Sequence, residues 1–285
     1  MSKSGAEARR EAAAATGRWP VALELLRGDA RVATNAAWGT APGSGELPAI
    51  AARAGAFPLA AGSGDAVIVT TLPPGGYTAI ASAADGRPGV CLVEVYDLAV
   101  DSADQRLANL STRAVAGAGD ATLTAGLVVR GTDPKRILIR AVGPTLGGFG
   151  VAGVLVDPRL SLVGGGATLF SNDNWIEADA AAMANAGAFS LTGGSRDAAV
   201  VAALGPGSYT APVTAADGGS GVALLEVYDR TPASGAAIVN ASTRAYVGTG
   251  DEVLILAPYW PLIAGIVHSF HGRPVAVPML AGEVD

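Results

Sequence analysis

One stretch of this chain is written nearly twice. Gly75-Gly76-Tyr77-Thr78-Ala79 leads into Gly89-Val90-Cys91-Leu92-Val93-Glu94-Val95-Tyr96-Asp97. Gly207-Ser208-Tyr209-Thr210-Ala211 leads into Gly221-Val222-Ala223-Leu224-Leu225-Glu226-Val227-Tyr228-Asp229. The offset is constant from end to end (209 − 77 = 132). Upstream, Asp65 answers to Asp197 at the same spacing, while Trp38 and Asn35 answer to Trp175 and Asn172 at 175 − 38 = 137. The drift places an indel between those landmarks. Downstream, Asn109-Leu110-Ser111-Thr112-Arg113-Ala114 answers to Asn240-Ala241-Ser242-Thr243-Arg244-Ala245. A repeat of about 130 residues is domain-sized and far too long for a solenoid unit.

Two such units fit in 285 residues, each with its own core. Half of the residues are hydrophobic, mostly Ala and Val, but no apolar run reaches the roughly 18 residues of a membrane helix. A net charge of −6 argues against a nucleic-acid partner. The 39 glycines and 17 prolines fit short strands joined by turns. The single cysteine, Cys91, cannot form an internal disulfide and reads as a small buried hydrophobe. Residues 1–17 are polar, then Ala-rich, without the apolar stretch of a secretory signal. On that ground the chain reads as cytosolic, or as a fragment lacking its true N-terminus.

Period-two alternation recurs between turn signals. Ala66-Val67-Ile68-Val69-Thr70-Thr71, Tyr77 to Ala83 and Val90 to Tyr96 form one predicted meander; Ala198 to Leu204, Tyr209 to Ala215 and Val222 to Tyr228 repeat it. Between the copies, 127–130, 136–141, 160–163 and 168–171 read as further strands. The Ala-rich stretch 177–186 is predicted as a short helix, with a counterpart near 49–54. The expected fold class is all-β: two tandem jelly-roll-like β-sandwich units. Residues 1–20 form a tail or short helix, 21–120 an incomplete first repeat, 121–251 the second, and 252–285 a foreign-looking α/β-type tail.

Six motifs in order resemble a repeat of large secreted proteins of Verrucomicrobia-type bacteria. They are Arg140-Ala141-Val142-Gly143-Pro144, Asp157-Pro158-Arg159-Leu160, Asn172-Asp173-Asn174-Trp175, Pro206-Gly207-Ser208-Tyr209-Thr210, Glu226-Val227-Tyr228-Asp229 and Asn240-Ala241-Ser242-Thr243-Arg244-Ala245. The resemblance covers about residues 21–251. Asn172-Asp173, the Pro206 turn and the Gly221 strand are also similar, more loosely, to the bacterial pre-peptidase C-terminal domain. These resemblances imply a jelly-roll-like sandwich in a secreted or cell-surface protein, with surface polysaccharide or other protein domains as partner classes, and no catalytic residue. The tail differs. Gly250-Asp251-Glu252-Val253-Leu254 followed by Pro258-Tyr259-Trp260 resembles a fragment of a fold-type I, pyridoxal-phosphate aminotransferase. That resemblance implies a cofactor-stacking role for Tyr259 or Trp260. The Schiff-base lysine and its partners would lie beyond Asp285, so this fragment cannot complete an active site. A chimeric junction and a native, convergent tail both account for the pattern.

Few residues offer chemistry. Asn172, Asp173 and Asn174 gather oxygens at a strand end, as a Ca²⁺ loop would; an Asx turn explains them more simply. The first copy has Asn35-Ala36-Ala37 there. Glu94 and Tyr96 share one strand face, as do Glu226 and Tyr228. With Arg113 and Arg244 on a neighbouring strand, the expectation is a structural Glu–Arg pair across adjacent strands, not an acid–base catalyst. Trp38 and Trp175 read as core anchors beside the Ala-rich segments; sugar stacking is the alternative. His268 and His271 lack a third metal ligand. The residues therefore point to a non-catalytic spacer or adhesion module without a cofactor. A carbohydrate- or calcium-binding module and an incomplete aminotransferase-related protein are the alternatives.

Overall fold

The structure is a computed structural model that describes residues 20–40, 43–73, 75–98, 106–231, 235–248 and 252–257. The first copy supplies β1 (Val21–Arg27), β2 (Ala30–Asn35), β3 (Tyr77–Ala83), β4 (Gly89–Tyr96) and β5 (Asn109–Ala116). The second supplies β6 (Leu123–Gly131), β7 (Lys135–Val142), β8 (Pro158–Gly164), β9 (Ala167–Asn172), β10 (Ala198–Leu204), β11 (Gly207–Ala215), β12 (Gly221–Asp229) and β13 (Ala236–Val247). β14 (Glu252–Ala257) follows. Short helices α1 (Leu47–Ala54), α2 (Pro144–Gly147) and α3 (Ala180–Asn185) sit in the connections. The fold is all-β and jelly-roll-like, as the alternation predicts.

Every strand ladder is antiparallel. They form two runs, β2-β1-β3-β14-β5-β12-β7-β10 and β9-β8-β11-β6-β13-β4. A single Tyr246↔Val115 bridge joins them. The two runs obey one rule. In the second copy β6 lies between β11 and β13; in the first, β14 takes the same place between β3 and β5. The first repeat, short of its leading strand in sequence, therefore receives that strand from the far end of the chain. The segment 252–257, which resemblance groups with the tail, belongs to the sheet; residues 258–285 lie outside the described residues. The copies also exchange a second element: β5 pairs with β12 of the other copy, and β13 with β4.

The inner core comes from alternate positions of these strands. Leu123, Leu127, Ile137, Ile139, Leu160, Leu162, Leu225 and Val227 are all at most 1% exposed. Cys91 packs in this core. β7, β10 and β12 are covered on their outer face as well. There Leu138, Val142, Leu224 and Tyr228 meet Leu146 and Met183 from α2 and α3. Strands buried on both faces read as near-continuous apolar runs, which Ala198 to Leu204 does.

One predicted strand is missing. Residues 66–72 form none, although their counterpart at offset 132 is β10. The reason is pairing. Among the described residues β10 bonds to β7 alone, and no strand of the first copy stands where β7 stands in the second. Alternation cannot make a strand without a neighbour to complete its ladder. Conversely, the β1–β2 hairpin was not predicted, though it matches β8–β9 residue for residue at offset 137.

Because β14 bridges β3 and β5, breaking it should loosen both copies. Ile255 lies opposite Ala79 on one side and Thr112 on the other. Ile255→Pro removes the backbone donor and should cost about 1–3 kcal/mol. Urea unfolding should show this as a lower midpoint of one shared transition.

Candidate functional site

The charged residues that the strands carry inward are the most unusual chemistry here. On the outer face of β12, cross-strand register aligns Ser111, Glu226 and Arg140 in one row, and Asn109, Tyr228 and Leu138 in the next. Arg140 and Glu226 are both fully buried. Arg140 Nε donates to Glu226 Oε2 at 2.8 Å, and Nη2 donates to the same oxygen. Nη1 donates to the Phe189 carbonyl at 2.5 Å, and the guanidinium lies 4.3 Å from the Phe189 ring centre. Glu226 Oε1 accepts from Tyr228 Oη at 2.7 Å and from Ser111 Oγ at 3.4 Å. Burial first, then the Glu226 charge, pushes the Tyr228 phenol far above its ordinary range, against an opposing effect of Arg140.

This corrects the expected pairing. Glu226 does have an arginine across an adjacent strand, but it is Arg140 of β7 and not Arg244. The register sets Arg113 opposite Leu224 and Arg244 opposite Leu92, two residue pairs along from each glutamate. Arg113 is buried, and burial lowers its pKa. Arg244 reaches Asp120 at 3.2 Å and the carbonyls of Asp120 and Thr122 at 3.3 Å. Glu94 hydrogen-bonds Tyr96, whose pKa rises chiefly through burial and then through Glu94. The recurrent Asn-x-Ser-Thr-Arg motif thus lines the Glu-Val-Tyr-Asp strand of the other copy. Asn109 Nδ2 donates to the Val227 carbonyl at 3.0 Å, and Asn240 Nδ2 to that of Val95 at 3.2 Å.

Three further charged residues, Lys135, Asp229 and Asp197, are carried inward. Lys135 Nζ sits 2.7 Å from Asp229 Oδ2, both at most 1% exposed, and donates to the Thr231 and Ala236 carbonyls. Asp197 accepts from Gly143 N at 2.7 Å, Ser195 Oγ at 2.6 Å, and Thr145 through both N and Oγ1. Gly143 is needed there: a Cβ would stand 2.1 Å from the Leu155 carbonyl oxygen. Trp175 Nε1 donates to Ser195 Oγ at 3.1 Å, extending a Trp–Ser–Asp relay. The first copy repeats it through Trp38, Ser63 and Asp65, at 3.2 and 2.7 Å. Trp175, partly buried, packs on the outer apolar cluster that holds Met183 of α3. The readable signal was charge at the ends of an apolar run: Lys135-Arg136 precedes and Arg140 follows Ile137-Leu138-Ile139.

The candidate calcium loop closes on itself. Asn172 Oδ1 accepts from Ala199 N at 3.0 Å and its Nδ2 donates to the Asn174 carbonyl at 2.9 Å. Asn174 Nδ2 donates to Asp173 Oδ1 at 3.1 Å, and Asp173 lies 3.8 Å from Arg159. Asn35 makes the same pair of bonds, to Val67 N and the Ala37 carbonyl, each 3.0 Å. These are Asx-type turns, each also tied to a distant backbone N–H, at the start of β10 in the second copy and of the strandless segment 66–72 in the first. Among the described residues no three His, Cys, Asp or Glu side chains converge. His268, His271, Tyr259 and Trp260 lie outside the described residues.

No family model and no curated protein matches the chain. Among solved structures it is similar to the VP2 subviral particle of infectious bursal disease virus, at 13% identity and a TM-score of 0.19, over 84% of this chain and 58% of that one. T=1 particles derived from the same virus give 13% identity and a TM-score of 0.18, over 84% and 61%. The chain thus spans less than two-thirds of either, and at such TM-scores the likeness bears on neither fold nor function.

Arg140→Met should leave Glu226 buried without its cation and cost about 3–5 kcal/mol, whereas adding Glu226→Leu should recover most of that loss. Urea unfolding of the two single variants and the double variant measures the coupling. Stability should also fall at high pH. Tyr228 keeps its proton in the folded protein, while an unfolded tyrosine loses it near pH 10. The stabilising contribution is complete below that pH and is lost as pH rises above it, at up to about 1.4 kcal/mol per pH unit. Tyr228→Phe should flatten that slope in thermal melts taken from pH 9 to about pH 11.5.

Proposed function

We propose that this chain is a non-catalytic, load-transmitting spacer module built from two tandem repeats, of the kind carried by secreted or surface proteins of bacteria. One observation carries the reading. β1 and β14 flank β3 and run parallel to each other, with Val21 level with Ala83 and Ala257 level with Tyr77. Tension applied at Val21 and Ala257 therefore pulls at opposite ends of the β1-β3-β14 ribbon. Such a pull shears the β1–β3 and β14–β3 ladders, six residue pairs each, so their hydrogen bonds resist together instead of unzipping one by one. The strand exchange supports the same role, since neither copy can leave without opening ladders in the other.

The buried charges add support of a different kind. Arg140, Glu226, Lys135 and Asp197 are enclosed and hydrogen-bonded by neighbouring side chains and backbone, and Asp229 is enclosed beside Lys135, whereas a general acid or base must reach substrate. The secreted or surface setting rests on the six-motif resemblance. Among the described residues no helix is long and apolar enough to cross a membrane.

Single-molecule pulling between handles at residues 20 and 258 tests the proposal. The expected record is one cooperative rupture that releases both copies together. Two separate ruptures at low force, one per copy, would refute a load-bearing tandem unit.

A further inference from the structure

The chain carries 19 basic side chains, and only two of them are lysines, Lys3 and Lys135. Arginine is the usual cation of a buried ion pair, because its charge persists and its planar fork matches a carboxylate. Arg140 follows that rule with Glu226. Lys135 does not. Its Nζ lies 2.7 Å from Asp229 Oδ2, and both side chains are at most 1% exposed. Asp229 stands opposite Ile137 in register, so Lys135 and Asp229 are diagonal neighbours on the face that carries Ile137 and Val227 into the inner core. The contact is close, but it is not a hydrogen bond: among the described residues Asp229 Oδ2 has no donor. An ammonium held purely as a counter-ion directs an N–H at such an oxygen, and a buried oxygen without one calls for an explanation. Oδ1 does have a donor, Thr231 N at 2.8 Å. Nζ itself donates to the carbonyls of Thr231 and Ala236 at 2.7 and 2.8 Å. Amine and carboxyl are thus each fixed by backbone, in contact, and out of reach of bulk water.

We propose that Lys135 and Asp229 condense to an intramolecular isopeptide (side-chain amide) bond. Lys135 is the first residue of β7 and Asp229 the last of β12, so the bond joins the ends of two neighbouring strands. The step balances within the pair. One proton passes from the ammonium to Oδ2, leaving an amine and a carboxylic acid. The Nζ lone pair then adds to Cγ, one bond beyond Oδ2. The negative charge goes onto Oδ1, where the Thr231 N–H faces it. A second proton moves from Nζ to Oδ2, the Cγ–Oδ2 bond breaks, and one water leaves. The third proton stays on the amide nitrogen and donates to a neighbouring carbonyl. Fixed positioning of the two groups drives the addition, and exclusion of water protects the product from hydrolysis. A guanidinium could not complete this step, which accounts for a lysine where the chain otherwise uses arginine. The inference goes beyond the spacer reading and does not depend on it.

Intact mass spectrometry of the full chain, after overnight incubation of the folded protein, reads the step directly. The expected mass is below the sequence mass by one water, about 18 Da. A tryptic digest should contain residues 131–136 linked to residues 197–230 through Lys135 and Asp229, because an acylated Lys135 is no longer cleaved. Lys135→Arg should keep the full sequence mass. The mass and the linked peptide both come from the unaltered chain, so they decide the matter even where that variant fails to fold. A chain at full sequence mass overturns the proposal and leaves the two residues an ion pair only. So does a loss of water without the linked peptide, as from cyclisation at Asp85-Gly86 or Asp217-Gly218. An equal loss of water in Lys135→Arg overturns it too.

Discussion

The ladders that cross between the two sequence copies are what the rest of the structure depends on. A β-strand is stable only when its backbone groups are paired on both sides or its open edge is protected. Here the first copy closes its ladder with β14, which follows the second copy in sequence, and each copy sets its Asn-x-Ser-Thr-Arg strand against the other's Glu-Val-Tyr-Asp strand. The repeat visible in sequence is thus not the unit that folds. The packing unit is shifted relative to it by one strand at the front and shared at the back.

That arrangement explains why two motifs recur together. Asn109 and Asn240 hold the backbone of the opposite copy, and Ser111 and Ser242 stand opposite Glu226 and Glu94 in register. A one-residue slip would carry Ser111 and Asn109 to the other face and break both contacts. Buried ion pairs contribute little net stability, because desolvation offsets their attraction. Their effect here is on alignment. Arg140 and Lys135 sit on opposite faces of β7 and meet Glu226 and Asp229 on opposite faces of β12, so only one pairing satisfies both.

Much of the strand pattern was legible because alternation and turns are local. β3, β4, β7, β10, β11 and β12 all follow from period-two runs between Gly- and Pro-rich turns. What was not legible was non-local. Ala66 to Thr71 alternates as well as Ala198 to Leu204 does, yet only the second meets a β7. For Glu226 the expected cross-strand arginine is present but comes from β7, because register across a long connection cannot be read from spacing. Arg140 was in view as part of a motif, but the neighbour that would neutralise it lies 86 residues away. The Asx turns were the simplest reading of Asn172 to Asn174, and they are local: each bond there spans one or two residues, apart from the one to Ala199.

The two copies form a comparison within one molecule. Their β4 and β12 sequences differ little, and each keeps a glutamate–tyrosine pair on the outer face. One glutamate is fully enclosed and the other half-buried, and the difference is a neighbouring strand, not a substitution in the strand itself. β4 itself is paired to β13 across eight residue pairs. The cation is needed where β7 and the outer layer close over the acid and remove it from water. Burial of this charge is therefore a consequence of completing the layer, and the sequence of β12 or β4 alone cannot say whether the layer is complete.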